Sequence, residues 1–136
     1  MSSTIPTPGD VYQRAAHPLI APAPHNPAAD GPFRALYERG ITGSAVIPVT
    51  QLVALTLASH ADWESGRIAD EDQPHLAGLV AETGLSAGRV VVSLQALEQR
   101  GWVRRPVRRE RWDTAPVELV IPGPIMRRLT RKRRRL

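Results

Sequence analysis

LAGLVAETGLSAGRVVVSLQALEQRGWVRR, Leu76 to Arg105, is the stretch whose reading decides the fold. Leu76, Leu79, Val80 and Thr83 recur at i, i+3, i+4 and i+7, the spacing of one helix face. Gly84 supplies the positive φ that ends a helix at little cost. Leu85 is an apolar plug. Ser86 is a good N-cap for a second helix, because its hydroxyl can accept from an orphan N–H at N2 or N3. In that helix Val90, Leu94 and Leu97 fall at i, i+4 and i+7 and share a core face. Gly101 occupies the C′ position, and Arg100 sits in the last turn, where a cation suits the helix dipole. Two short helices joined through a glycine turn form a helix-turn-helix pattern.

The run T-G-L-S-x-x-x-V-x-x-x-L-x-x-L-E-x-x-G-W-V is carried by Thr83, Gly84, Leu85, Ser86, Val90, Leu94, Leu97, Glu98, Gly101, Trp102 and Val103. It resembles the helix-turn-helix and the start of the wing in winged-helix DNA-binding proteins. The regulators and small phage or plasmid proteins of high-GC bacteria are the nearest in kind. The likeness covers residues 47–122. It implies a mainly α fold with a small β-hairpin (α+β), a three-helix winged helix-turn-helix. It speaks for the fold more than for the role, since one fold hosts many functions.

Working outward, residues 1–32 hold seven of the thirteen prolines and are expected to form a disordered leader. Residues 33–46 are expected to be a linker with a short helix, from Phe33, Leu36 and Tyr37 at i, i+3 and i+4. GITGS, Gly40 to Ser44, lacks the lysine a phosphate-binding loop needs and follows no strand-like run. Pro48 fits the first position of a helix running to about Ser59, apolar around most of its circumference and so destined for burial. The winged-helix resemblance implies a short first strand, expected at Gly66-Arg67-Ile68 with Ile68 inward. Asp70-Glu71-Asp72 precedes the next helix, where negative charge is favourable. Trp102 to Val107 and Val117 to Pro122 alternate as the two strands of a hairpin around a wing loop, Arg108 to Pro116. Residues 123–136 form a basic tail in which Ile125, Met126 and Leu129 are spaced to support a short amphipathic helix, while like-charge repulsion is expected to keep the end disordered when free in solution.

Charge is distributed unevenly. Residues 1–88 carry four arginines and nine acids, whereas residues 89–136 carry fourteen basic residues and four acids. Such asymmetry points to nucleic acid or another anionic surface. Seventeen of the eighteen basic residues are arginine, which matches high-GC codon usage and equally the bidentate recognition of phosphate and guanine.

No cysteine is present, so disulfides and thiolate metal sites are excluded. No apolar stretch approaches ~18 residues and no signal peptide opens the chain, so a cytoplasmic, nucleoid-associated protein without a membrane partner is expected. His60, Asp62 and Glu64 read as solvated loop charges, with no partner cluster to complete a metal site. Four scattered histidines and no paired carboxylates leave no nucleophile–base pair, so neither an enzyme nor a cofactor or small-molecule ligand is expected.

The expected ligand is double-stranded DNA, with a homodimer compatible. By the resemblance, the second motif helix enters the major groove and offers Ala87, Gly88, Arg89, Val91, Val92 and Ser93 to it. Only Arg89 and Ser93 of these can make polar contacts, which departs from the family's usual complement of polar readers. Ser86 joins them at the helix start. Val91 and Val92 can touch thymine methyls, or else form an apolar patch for a protein partner. The alternative is therefore a protein–protein or RNA-binding module on the same fold. Phosphate contacts are expected from the wing arginines Arg104, Arg105, Arg108, Arg109 and Arg111. The tail adds Arg127, Arg128, Arg131, Lys132, Arg133, Arg134 and Arg135. Trp112 is expected to fold back over the hairpin, the alternative being insertion against a sugar or base.

Overall fold

A computed structural model describes residues 23–134. These form six α-helices and a two-stranded antiparallel sheet, a mainly helical α+β architecture. The helices are α1 (Pro27–Asp30), α2 (Phe33–Thr42), α3 (Pro48–Ala58), α4 (His75–Thr83), α5 (Ala87–Gln99) and α6 (Gly123–Arg134). Strands β1 (Val103–Arg104) and β2 (Glu118–Leu119) lie between α5 and α6. No single helix among the described residues is long and apolar enough to cross a membrane.

Helix α3 is the centre, packed against α2, α4 and α5. Pro48 opens it, as the sequence predicts, and Val53, Ala54, Leu57 and Ala58 are buried. They share one core with Leu79 of α4 and with Val90, Leu94 and Leu97 of α5.

Five sequence expectations need correction here, the first three concerning the segments on either side of the motif. Residues 1–22 lie outside the described residues, but the remainder of the expected leader is ordered. The Ala23 N–H donates to the Ile121 carbonyl (3.2 Å), and α1 is capped by Asn26, whose Oδ1 accepts from the Ala28 N–H (3.1 Å). Pro27 at the first helical turn helps here instead of hindering, because its missing N–H had no partner to lose.

Second, residues 33–46 are not a linker. Helix α2 buries Phe33, Leu36, Tyr37 and Ile41 in the main core. Third, residues 123–136 are not a free tail as far as Arg134. Helix α6 packs on α2 and buries Met126, Leu129 and Thr130. The apolar spacing was visible in the sequence. What overrides the like-charge repulsion is a docking surface that only the folded chain provides.

The sheet is smaller than the alternation suggests. Val103 pairs with Leu119 and Arg104 with Glu118, and pairing stops there. Proline at 106, 116 and 122 removes ladder donors on both sides of this pair. Val117, Leu119 and Ile121 nonetheless all point into the core.

The expected first strand at Gly66-Arg67-Ile68 does not form, although Ile68 is buried. A side chain takes its place. The Gln73 amide donates to the carbonyls of Ile68 (3.3 Å) and Val117 (3.1 Å), while its Oε1 accepts the Val117 N–H (3.0 Å). One glutamine thus ties the loop to the start of β2, doing the work of a ladder.

Tyr37 connects α2 to the far end of the motif. Its hydroxyl donates to the Trp102 carbonyl (3.0 Å), and the two rings meet edge to face at 5.6 Å. Complete burial pushes the phenol far above its ordinary value of about 10, so it remains a donor throughout the accessible range. The folded state keeps this proton where the unfolded chain sheds it, so stability should fall as pH rises through about 10. Because the carbonyl also accepts the Val120 N–H (3.1 Å), Tyr37→Phe should cost only about 1 kcal/mol at neutral pH. Urea unfolding followed by circular dichroism should show that loss, and a shallower alkaline decline in the variant than in the parent.

Candidate nucleic-acid interface

Helices α4 and α5 cross at 110° over a three-residue break, within the range of a helix-turn-helix. Gly84 makes the turn: at φ 74° it is left-handed, and its N–H reaches the Val80 carbonyl (3.0 Å). Ser86 then caps α5, its Oγ accepting the Arg89 N–H (3.3 Å). At the other end the Trp102 N–H bonds the Leu97 carbonyl (2.9 Å) and the Gly101 N–H bonds the Glu98 carbonyl (3.2 Å). With Gly101 at φ 83°, this is a Schellman closure, and it sets the direction in which the hairpin leaves the helix.

One face of α5 is sealed in the core by Val90, Ser93, Leu94, Leu97 and Glu98. Ser93 is therefore not an outward-facing reader. It is only 3% exposed, and its Oγ lies 3.2 Å from Thr50 Oγ1 on α3. The reason is the helical repeat: Ser93 falls at i+3 from Val90 and i−4 from Leu97, squarely between two core positions. Val91 is also drawn in, half-buried against the core.

The outward face consists of Ala87, Gly88, Arg89, Val92, Gln95 and Gln99, with Val92 65% exposed. Sequence reasoning missed Gln95 and Gln99. Both fall on the face opposite Val90, Leu94 and Leu97, so the periodicity already held the signal. Ser86 is exposed, but its hydroxyl is engaged as the cap. No carboxylate is exposed on α5, because Glu98 is buried.

Three of the wing arginines have partners within hydrogen-bonding distance nearby in the fold. Arg105 is committed to groups of the protein itself. Its Nε and Nη2 form a bidentate pair with Glu98 (2.9 and 2.8 Å), and Nη1 donates to the Glu110 carbonyl (2.7 Å). Its guanidinium also lies 3.9 Å from the centre of the Trp112 ring. Trp112 is buried, folded back over the hairpin as the sequence reading expected. Arg104 pairs with Glu118 (3.0 Å) and Arg111 with Asp113 (3.3 Å), both on the surface. Arg108 is half-buried, and Arg109 is exposed.

On α6, by contrast, Arg127, Arg128 and Arg131 are exposed on the side opposite Met126, Leu129 and Thr130. No acidic residue occurs after Glu118. The side chains of Lys132, Arg133 and Arg134, and the whole of Arg135, lie outside the described residues. Of the basic residues expected to contact phosphate, Arg109 in the loop and Arg127, Arg128 and Arg131 on α6 are exposed, and the α6 group has no acidic residue in its helix.

Two acids of the α3–α4 region have partners within the protein. His60 Nε2 lies 2.7 Å from Glu82 Oε1. Asp62 accepts the N–H and hydroxyl of Ser65, which hold its carboxyl below the usual carboxylate range. Among the described residues no group of three or more His, Asp or Glu is placed to hold a metal ion.

Comparison with protein-family models, with curated proteins and with solved structures returns no match.

Removing one partner of the Arg105–Glu98 pair leaves a largely buried charge without its counterion. Arg105→Ala should therefore cost about 3 kcal/mol of stability. A thermal melt should show the loss, while the surface variant Arg111→Ala should melt within about 0.5 kcal/mol of the parent.

Proposed function

We propose that the chain is a three-helix winged helix-turn-helix protein that binds duplex DNA, acting in transcriptional regulation or as a phage or plasmid accessory factor. In this reading α3, α4 and α5 are the three helices, α5 is the recognition helix, and the short two-stranded hairpin with its 105–117 loop is the wing. The observation that carries it is the 110° crossing of α4 and α5 through a left-handed glycine, with an outward α5 face free of exposed carboxylate. A polyanion meets no repulsion there. The resemblance carried by Thr83 to Val103 supports the same conclusion.

Affinity in this reading comes mainly from α6. Arg104 and Arg111 must exchange a carboxylate for a phosphate, a trade with little net electrostatic gain. Arg105 is committed internally. Arg127, Arg128 and Arg131 have no acidic residue within their own helix to neutralise them.

If about six phosphates are neutralised, log K should fall against log[salt] with a slope near −5. Replacing Arg127, Arg128 and Arg131 together by Gln should reduce that slope by about 2 to 3. Replacing Arg104 and Arg111 should change it by less than half as much. Fluorescence anisotropy with a random-sequence duplex across a salt series reads all three. Absence of any duplex binding at low salt removes the proposal.

A further inference from the structure

We propose that the outward face of α5 reads T·A base pairs in the major groove, with Val92 on the thymine methyl and Gln95 on the adenine edge. This rests on the DNA-binding reading above and narrows it to a class of sequence.

Three observations point the same way. Val92 is 65% exposed and Ile47, just before α3, is 64% exposed. The two side chains flank a shallow apolar depression that Val49, Gly88 and Arg89 help to line. The one apolar group that a base pair presents in the major groove is the thymine C5-methyl.

Gln95 follows Val92 at i+3 and is exposed on the same face. Glutamine is the side chain whose amide matches adenine N6 and N7. In a T·A pair the methyl and the adenine edge lie side by side, as Val92 and Gln95 do on the helix.

Gly88 is the third observation. A Cβ built on it meets nothing within 4 Å, and its φ lies outside the left-handed region, so the fold gives no reason for a glycine. Glycine is a poorer helix former than alanine, by about 1 kcal/mol in a helix interior and by less in the first turn, where Gly88 lies. Leaving the Cβ off one turn before Val92 opens the helix surface to close approach from outside. An apolar protein partner would also cover Val92. The flanking Arg89, and a helix surface without exposed carboxylate, favour a polyanion instead.

Selection from a random duplex library with the full chain, followed by replacement of each thymine by deoxyuridine, tests the proposal. Deoxyuridine removes the methyl and leaves pairing and backbone charge unchanged. Selected sites should contain T·A pairs. At one or two thymines, loss of the methyl should weaken binding about three- to fivefold, the value of burying one methyl group. Val92→Ala should shrink that difference. Gln95→Ala should cost about tenfold on the selected duplex and little on random DNA. Gly88→Ala should bind less tightly while melting at the same or a higher temperature, which separates its effect from misfolding.

If duplexes are bound but no T·A enrichment appears, or deoxyuridine is neutral at every position, T·A readout is wrong and DNA binding stands. If no duplex is bound at low salt, both fall. If Val92→Asp converts a dimer to a monomer in sedimentation with DNA affinity unchanged, the face is a protein contact and the proposal is overturned.

Discussion

The junction at Trp102 is the constraint on which the rest of the architecture depends. Its N–H closes the C-terminus of α5 onto Leu97, and its carbonyl accepts from both Tyr37 on α2 and Val120 beside β2. Both lone pairs of one peptide oxygen are therefore used to join three parts of the chain. The indole completes the junction, since a Cβ at Gly40 would come within 3.0 Å of it and within 3.3 Å of Ile125 on α6. Helices α2 and α6 approach this closely only because residue 40 has no side chain. The α4–α5 pair is consequently not a free-standing unit. Its orientation relative to the flanking helices is fixed by one buried tryptophan.

This explains which parts of the fold were legible in the sequence. Gly84, Ser86 and Gly101 act within a few residues of themselves, so their roles as turn, cap and C′ can be read from the string. Helices α2 and α6 depend on contacts across the chain. Phe33, Leu36 and Tyr37 gave a helical spacing, but the string cannot say that a tryptophan 65 residues later waits for the tyrosine. In the same way the prolines before residue 32 suggested disorder, whereas Pro27 merely starts a helix. Gln73 shows the converse case. Sequence reasoning looks for a strand wherever a sheet edge needs covering, and here a single amide supplies the bonds.

Charge was the least legible property, because a count of arginines says nothing about their partners. Arg105 and Glu98 are seven residues apart, on a strand exit and a helix, and meet only after Gly101 has turned the chain. Stacked on Trp112 and bonded to the Glu110 carbonyl, Arg105 acts as a strut that pins the loop down onto α5. The loop is thereby anchored to α5 through Glu98. The free cationic density therefore has to be sought elsewhere, and α6 is where the acids run out.

The two faces of α5 carry different kinds of information. On the inner face every residue is accounted for by the protein itself: Val90, Leu94 and Leu97 by the core, Ser93 by Thr50, Glu98 by Arg105. On the outer face the fold is indifferent. Helix propensity alone would favour alanine, glutamate or lysine at such positions over Gly88 and Val92. At Gly88 and Val92 the packing of the chain supplies no reason for the residue present. The absence of glutamate on a surface that would tolerate it is part of the same argument, since a carboxylate there would repel only an anion. That outer face has no exposed carboxylate, no side chain at Gly88, an exposed Val92 and the amide of Gln95, and these are the features on which the DNA-binding proposal rests.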